Sequence, residues 1–145
     1  MSRLAPEAKA ADVAIGIENV WNRFLLSPLE TRRFLDEIGS DYVGMYLDVG
    51  NAVYIGYPEQ WIEILGHRIK KLHMSDYRFD QAGIGAFVDL FAGDVDFPAV
   101  AKAIAGIGYD DYITLEMLPN YKQFPEVSLY ADKFAMNKII EMIHL

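Results

Sequence analysis

The sequence predicts an α/β fold: parallel strands with helices on their outer side, arranged as four strand–helix units. Three observations lead there. Four short apolar runs recur along the chain: Ala14-Ile15-Gly16-Ile17-Glu18, Met45-Tyr46-Leu47-Asp48, Ile69-Lys70-Lys71-Leu72-His73 and Tyr112-Ile113-Thr114-Leu115-Glu116. Between them lie segments whose apolar residues recur at helical spacing. Each strand–helix unit occupies about 30 residues, close to one eighth of a closed (β/α)8 barrel of ~250 residues, so four units amount to half a barrel.

The elements follow in order. Residues 2–12 read as the tail of a helix before the first strand. Ser27-Pro28-Leu29-Glu30 is a helix start: Ser27 can cap, Pro28 suits the first helical position, and Glu30 completes a capping box. Thr31, Phe34, Leu35 and Ile38 continue at helical spacing and Gly39 supplies the stop. The second strand, about 43–49, is followed by Gly50-Asn51 and by a second helix that begins at Pro58, buries Trp61, Ile64 and Leu65, and ends at Gly66. The third strand covers about 69–74. A long glycine-containing loop, about 75–94, comes next; ordered loops of that length commonly form lids or binding segments. The third helix starts near Asp96 and Pro98, with Val100, Ala103, Ile104 and Ile107 on one face and Gly106 and Gly108 breaking it. The last helix spans about 127–143, with Met136, Ile139, Ile140 and Ile143 as its apolar stripe. The strands are expected to be apolar on both faces, as in a covered parallel sheet. Residues 1–145 are expected to form one domain, since neither a linker nor a low-complexity segment divides them.

Composition narrows the functional classes. The chain has 145 residues, 52 % hydrophobic and 23 % charged, the balance of a folded globular protein. A net charge of -8 argues against a nucleic-acid partner, whose phosphates call for Lys and Arg. With no cysteine, disulfides and thiolate metal sites are excluded. The first residues lack the apolar core of a signal peptide and no apolar run approaches membrane-spanning length, so a cytoplasmic protein without membrane contact is expected.

The chemistry lies at the strand ends. Glu18, Asp48, His73 and Glu116 each close one of the four apolar runs. Parallel α/β proteins place their active sites at the carboxyl edge of the strands. Singly, each residue has another reading: a Glu can cap a helix or face solvent, Asp48 can form a turn with Val49-Gly50-Asn51, and His73 can be a structural histidine. Four independent strands ending this way favour convergence. Three carboxylates and an imidazole suit a divalent cation such as Mn²⁺, Mg²⁺, Co²⁺ or Zn²⁺. A sugar carbonyl with an adjacent hydroxyl is a natural chelator of such an ion. The ion would polarise the carbonyl and stabilise the ene-diolate formed on proton loss, with a carboxylate at its edge moving the proton.

Four stretches, Ile17-Glu18-Asn19-Val20-Trp21-Asn22, Tyr46-Leu47-Asp48-Val49-Gly50-Asn51, Lys71-Leu72-His73-Met74-Ser75-Asp76 and the run from Gly106-Ile107-Gly108-Tyr109-Asp110 to Glu116, resemble the last four strands of the xylose isomerase-like TIM barrels. That family includes sugar-phosphate isomerases/epimerases and ketose 3-epimerases. The resemblance covers nearly the whole chain. It implies that Glu18, Asp48, His73 and Glu116 are metal ligands and that Glu18 and Glu116 are the acid/base pair. It departs in detail. Asn51 stands where a substrate-contacting His is common, and could still bond a hydroxyl. Leu25 follows Asn22-Arg23-Phe24 where the ketose 3-epimerases tend to carry a Glu, and Arg78 stands near the position of their substrate Arg. DNA-repair endonucleases of the same superfamily fit less well, because their multi-zinc site resembles one needing several more histidines.

Trp21 and Phe24 are candidates for an apolar wall against a sugar, with core or interface packing as the other reading of each. Arg78, Gly83-Ile84-Gly85, Asn120, Lys122 and Gln123 are candidates for a phosphate. The sequence therefore predicts a metal-dependent isomerase or epimerase acting on a small sugar or sugar phosphate. The alternative is a catalytically inactive half-barrel serving as a metal-binding or assembly module. Since the family's first four strands have no counterpart, a homodimer that rebuilds eight strands is the expected assembly.

Overall fold

The computed structural model describes residues 1–118 and 121–145. The candidate phosphate contact Asn120 lies outside the described residues. Along the chain run α1 (Ala5–Ala11), β1 (Ile15–Glu18), α2 (Pro28–Ile38), β2 (Val43–Asp48), α3 (Val49–Ile55), α4 (Pro58–Leu65), β3 (Ile69–Met74), β4 (Asp76–Tyr77), β5 (Phe87–Val88), α5 (Phe97–Gly106), β6 (Ile113–Leu115) and α6 (Glu126–Ile143). Strands β1, β2, β3 and β6 form one parallel sheet in that order. No helix of the described residues is long and apolar enough to cross a membrane.

The core lies between one face of this sheet and the helices. Met45, Leu47, Leu72 and Met74 point to that side and are buried, packed in one cluster with Ile62 and Leu65 of α4, Val100 and Ile104 of α5 and Ile139 of α6. The alternate strand residues face the other way, and here the expectation of strands apolar on both faces fails. That face carries Tyr46, Lys71, His73 and Thr114. Tyr46 Oη donates to Thr114 Oγ1 at 3.0 Å, reaching across β3, and its ring lies 4.0 Å from the His73 ring. The physical reason is one-sided cover: the helices pack on a single face, so only alternate residues need be apolar.

Local chemistry sets the element ends. Ser27 Oγ accepts the Glu30 N–H at 3.2 Å, while Glu30 Oε2 accepts the Leu26 N–H at 3.1 Å, one residue before the position an ideal capping box would use. Gly39, at φ 62°, ends α2 by donating to the Leu35 carbonyl at 3.1 Å.

Between β2 and α4 the sequence suggests only a turn, but the chain forms the extra helix α3. Asp48 caps it, its Oδ1 accepting the Asn51 N–H at 2.5 Å. Gly50 serves packing here: a Cβ on it would lie 2.3 Å from Ser75 Oγ.

The long segment after β3 is also more ordered than a plain loop. It holds the antiparallel pair β4–β5, and a fully buried carboxylate ties its far end down. Asp76 accepts the N–H groups of Tyr77 at 2.9 Å, Gly93 at 2.8 Å and Val95 at 3.2 Å. Burial raises the Asp76 pKa against the pull of these donors. Replacing Asp76 with Ala strands three backbone donors, and the urea-unfolding free energy should fall by about 3 kcal/mol. A loss below about 1 kcal/mol would show that the carboxylate does not anchor the segment.

Candidate metal centre

Register brings the four strand-end groups together. Asp48 is level with His73, and Thr114, two residues before Glu116, is level with His73 on its other side. Glu18 pairs with Tyr46, two residues before Asp48. Side chains two apart on a strand share a face, so the carboxylates of β1, β2 and the end of β6 all close on the β3 imidazole. His73 Nδ1 lies 2.8 Å from Glu116 Oε2, 3.0 Å from Glu18 Oε1 and 3.9 Å from Asp48 Oδ2.

One ligand atom from each of the four lies within 4.8 Å of the others. Ligands of an octahedral ion at ~2.1 Å are separated by about 3 to 4.2 Å, so small side-chain shifts would bring these four groups onto one ion. The donor chemistry fits as well. A single ring nitrogen can offer one proton, and three carboxylates compete for it. A divalent cation in that position would neutralise the negative charge that the imidazole cannot. Glu18, Asp48, His73 Nδ1 and Glu116 are the groups that could hold it.

Two residues that sequence reasoning passed over lock Asp48 in place. Asn19 Oδ1 accepts the Asp48 N–H at 2.8 Å, and Asn19 Nδ2 donates to the Asp48 carbonyl at 2.9 Å. This buried side chain thus mimics a strand partner and joins the residue after Glu18 to Asp48 itself. Ser75 Oγ donates towards the Asp48 carboxylate, 3.0 and 3.1 Å from its two oxygens, and accepts the Gly50 N–H at 3.1 Å. Outer contacts of this kind orient metal ligands. The sequence signals were present, as Asn19 and Ser75 flank Glu18 and His73 closely, but their partners are remote in sequence.

Burial is the main cause that raises Asp48, 1 % exposed, to a pKa of about 8. The bonds from the Asn51 N–H and Ser75 oppose the rise, and the Glu116 carboxylate adds to it.

The cluster opens on a cavity of about 460 Å³, lined by Asp48, Asn51 and Glu116 and by the apolar side chains of Trp21, Ile84 and Phe87 among others. Trp21 stacks on Phe87, with ring centroids 5.4 Å apart. Asn51 and Trp21 are therefore at the site, as are Gly83 and Ile84. Phe24 is not on this wall; its ring packs against Phe34 at 5.6 Å. Arg78 is held elsewhere, forked onto Asp80 at 2.9 and 2.5 Å, and does not line the cavity. Lys122 and Gln123 are exposed and do not line it either.

The family model for the xylose isomerase-like TIM barrel matches residues 1–136. The chain belongs to that family. Among solved structures it is similar to an IolI protein with a bound zinc atom, at TM-score 0.83 and 19% identity, covering 97% of this chain and 53% of that one. It is similar to a xylose isomerase domain protein from Planctomyces limnophilus, at TM-score 0.79 and 18% identity, covering 99% and 50%. An L-ribulose 3-epimerase gives TM-score 0.73 and 21% identity, covering 99% and 51%. No curated protein sequence matches the chain. The chain thus spans about half the length of the structures it matches, and its fold is a (β/α)4 half of a TIM barrel.

Asp48 supplies a pH test with a definite sign. Its pKa in the folded chain is raised, so the folded metal-free state holds this proton more tightly than the unfolded state. The group's contribution to stability is full below pH ~4 and is lost as pH rises towards 8. A cation bound here would displace the proton, so Mn²⁺ affinity measured by calorimetry should climb up to about tenfold per unit below pH 8 and flatten above it. A profile without slope between pH 6 and 8 would contradict this account of Asp48.

Proposed function

We propose that this chain is a metal-dependent sugar or sugar-phosphate isomerase or epimerase, working as half of a barrel that a second copy completes. The observation that carries the reading is the meeting of three carboxylates and one imidazole at the mouth of a cavity large enough for a small sugar. The names of the similar structures, including the 3-epimerase, agree with it.

When bound, a divalent cation would supply Lewis-acid polarisation of the substrate carbonyl. The remaining work falls to the protein. Glu116, which lines the cavity and is half exposed, takes the proton from the carbon beside the carbonyl. Glu18, on the other side of His73, returns a proton to the resulting ene-diolate. Return to the same carbon from the opposite face is epimerisation; return to the neighbouring carbon, with hydroxyl-proton exchange, is isomerisation. Asn51 bonds a substrate hydroxyl, while Trp21 and Phe87 cover an apolar sugar face and exclude water.

Assembly is proposed from the sheet. The outer edges of β1 and β6 have no partner strand among the described residues. Both strands run in the same direction, so β6 of one copy can continue the sheet into β1 of the other, and the two joints are equivalent under one two-fold axis. Closure leaves no open edge. The alternative is a metal-binding or assembly module without turnover. Metal-loaded protein that turns over no sugar in a ketose and aldose panel would select that alternative.

Glu116→Gln should lower turnover at least 10²-fold while the chain still folds and unfolds cooperatively. Unaltered turnover would remove Glu116 from proton transfer. Light scattering should give twice the chain mass of 16.4 kDa; a single species at the chain mass would exclude the closed dimer.

A further inference from the structure

A second cavity, of about 260 Å³, adjoins the first and shares Trp21 and Asn51 with it. Asn19, Arg23 and Tyr54 also line it. The two cavities meet at Trp21 and Asn51; Asp48 and Glu116 line the first, and none of the four cluster residues lines the second.

Two features set Arg23 apart. Among the described residues it is the one Lys or Arg that lines either cavity; like Arg32 and Lys70 it has no ion-pair partner there, whereas Arg78 is taken by Asp80 and Lys71 by Asp111. Its backbone is also held in the left-handed region, at φ 63°, with Leu25 at φ 54° close behind. Such conformations are uncommon for residues other than glycine and cluster at functional sites. The turn is fixed by Asn22, whose N–H donates to the Val20 carbonyl at 2.9 Å and whose Oδ1 accepts the Phe24 N–H at 3.0 Å.

We propose that this second cavity is an anion subsite, in which Arg23, with the Asn51 carboxamide beside it, receives a phosphate or carboxylate at the end of the substrate distant from the reacting carbonyl. The proposal rests on the isomerase/epimerase reading for the rest of the substrate. Its physical basis is charge. The cluster carries three carboxylates, so an anionic end is driven away from it, and Arg23 is the one guanidinium on the cavity wall that can receive that end. An anionic group there orients the sugar with its carbonyl towards the cluster.

The test uses the Mn²⁺-loaded chain and calorimetry with four probes: D-fructose, D-fructose 6-phosphate, D-fructuronate and inorganic phosphate. At least one charged sugar should bind about tenfold or more tightly than fructose, and the tighter of the two identifies the anion. Arg23→Gln should erase that advantage and weaken inorganic phosphate while leaving fructose affinity unchanged, and Arg23→Lys should retain part of it. An Arg23→Gln chain that keeps the preference, or holds inorganic phosphate as well as the native chain does, overturns the proposal, since the anion would then sit on the metal. If no sugar binds but inorganic phosphate binds through Arg23, the subsite stands and the isomerase/epimerase reading falls.

Discussion

Three carboxylates crowd a single imidazole nitrogen at the carboxyl edge of the sheet, and the rest of the structure is arranged around that concentration of charge. Glu18, Asp48 and Glu116 all approach His73 Nδ1. Such a cluster resists folding unless a cation or protons compensate it. Asp48, whose pKa is raised by burial first and by the Glu116 carboxylate in addition, is the group best placed to hold such a proton. A divalent ion is the form of compensation compatible with three ionised carboxylates.

The fold supplies the constraint that keeps the groups together. Strand register sets their spacing, and the apolar side chains of β2 and β3 anchor the sheet on a helical layer. Asn19 then ties β1 to β2 at the point where both deliver a carboxylate. Ser75 does the same between the end of β3 and the start of α3. The polar inner face follows from the same logic. Tyr46, Lys71 and Thr114 share the cluster's face of the sheet, and a half-barrel needs apolar packing only on the side its helices cover.

Most of the fold was legible in the sequence because strands and helices here have clear periods and ends. Ser27, Gly39, Asp96 and Gly66 mark boundaries through local chemistry, and the four strand ends mark the residues that converge in the cluster. What was not legible depends on distance in sequence. Helix α3 was hidden because Asp48 and Gly50 are equally good turn residues; the reason for Gly50 is the Ser75 hydroxyl against it, 25 residues away. The anchoring by Asp76 was hidden for the same reason, its partners being Gly93 and Val95. Arg78, a candidate substrate contact in the sequence, is paired with Asp80 and lies off the main cavity, while Arg23, to which the sequence reading gave no role, lines a second cavity. Composition cannot distinguish a paired arginine from a free one.

The central claim is that the four strand-end groups share one cation. Crystals grown with Mn²⁺ and measured at its absorption edge test it most directly. The account predicts one strong anomalous peak per chain, bonded to Glu18, Asp48, His73 Nδ1 and Glu116. A map without a peak among these side chains, or with the ion bound by other residues, would contradict it.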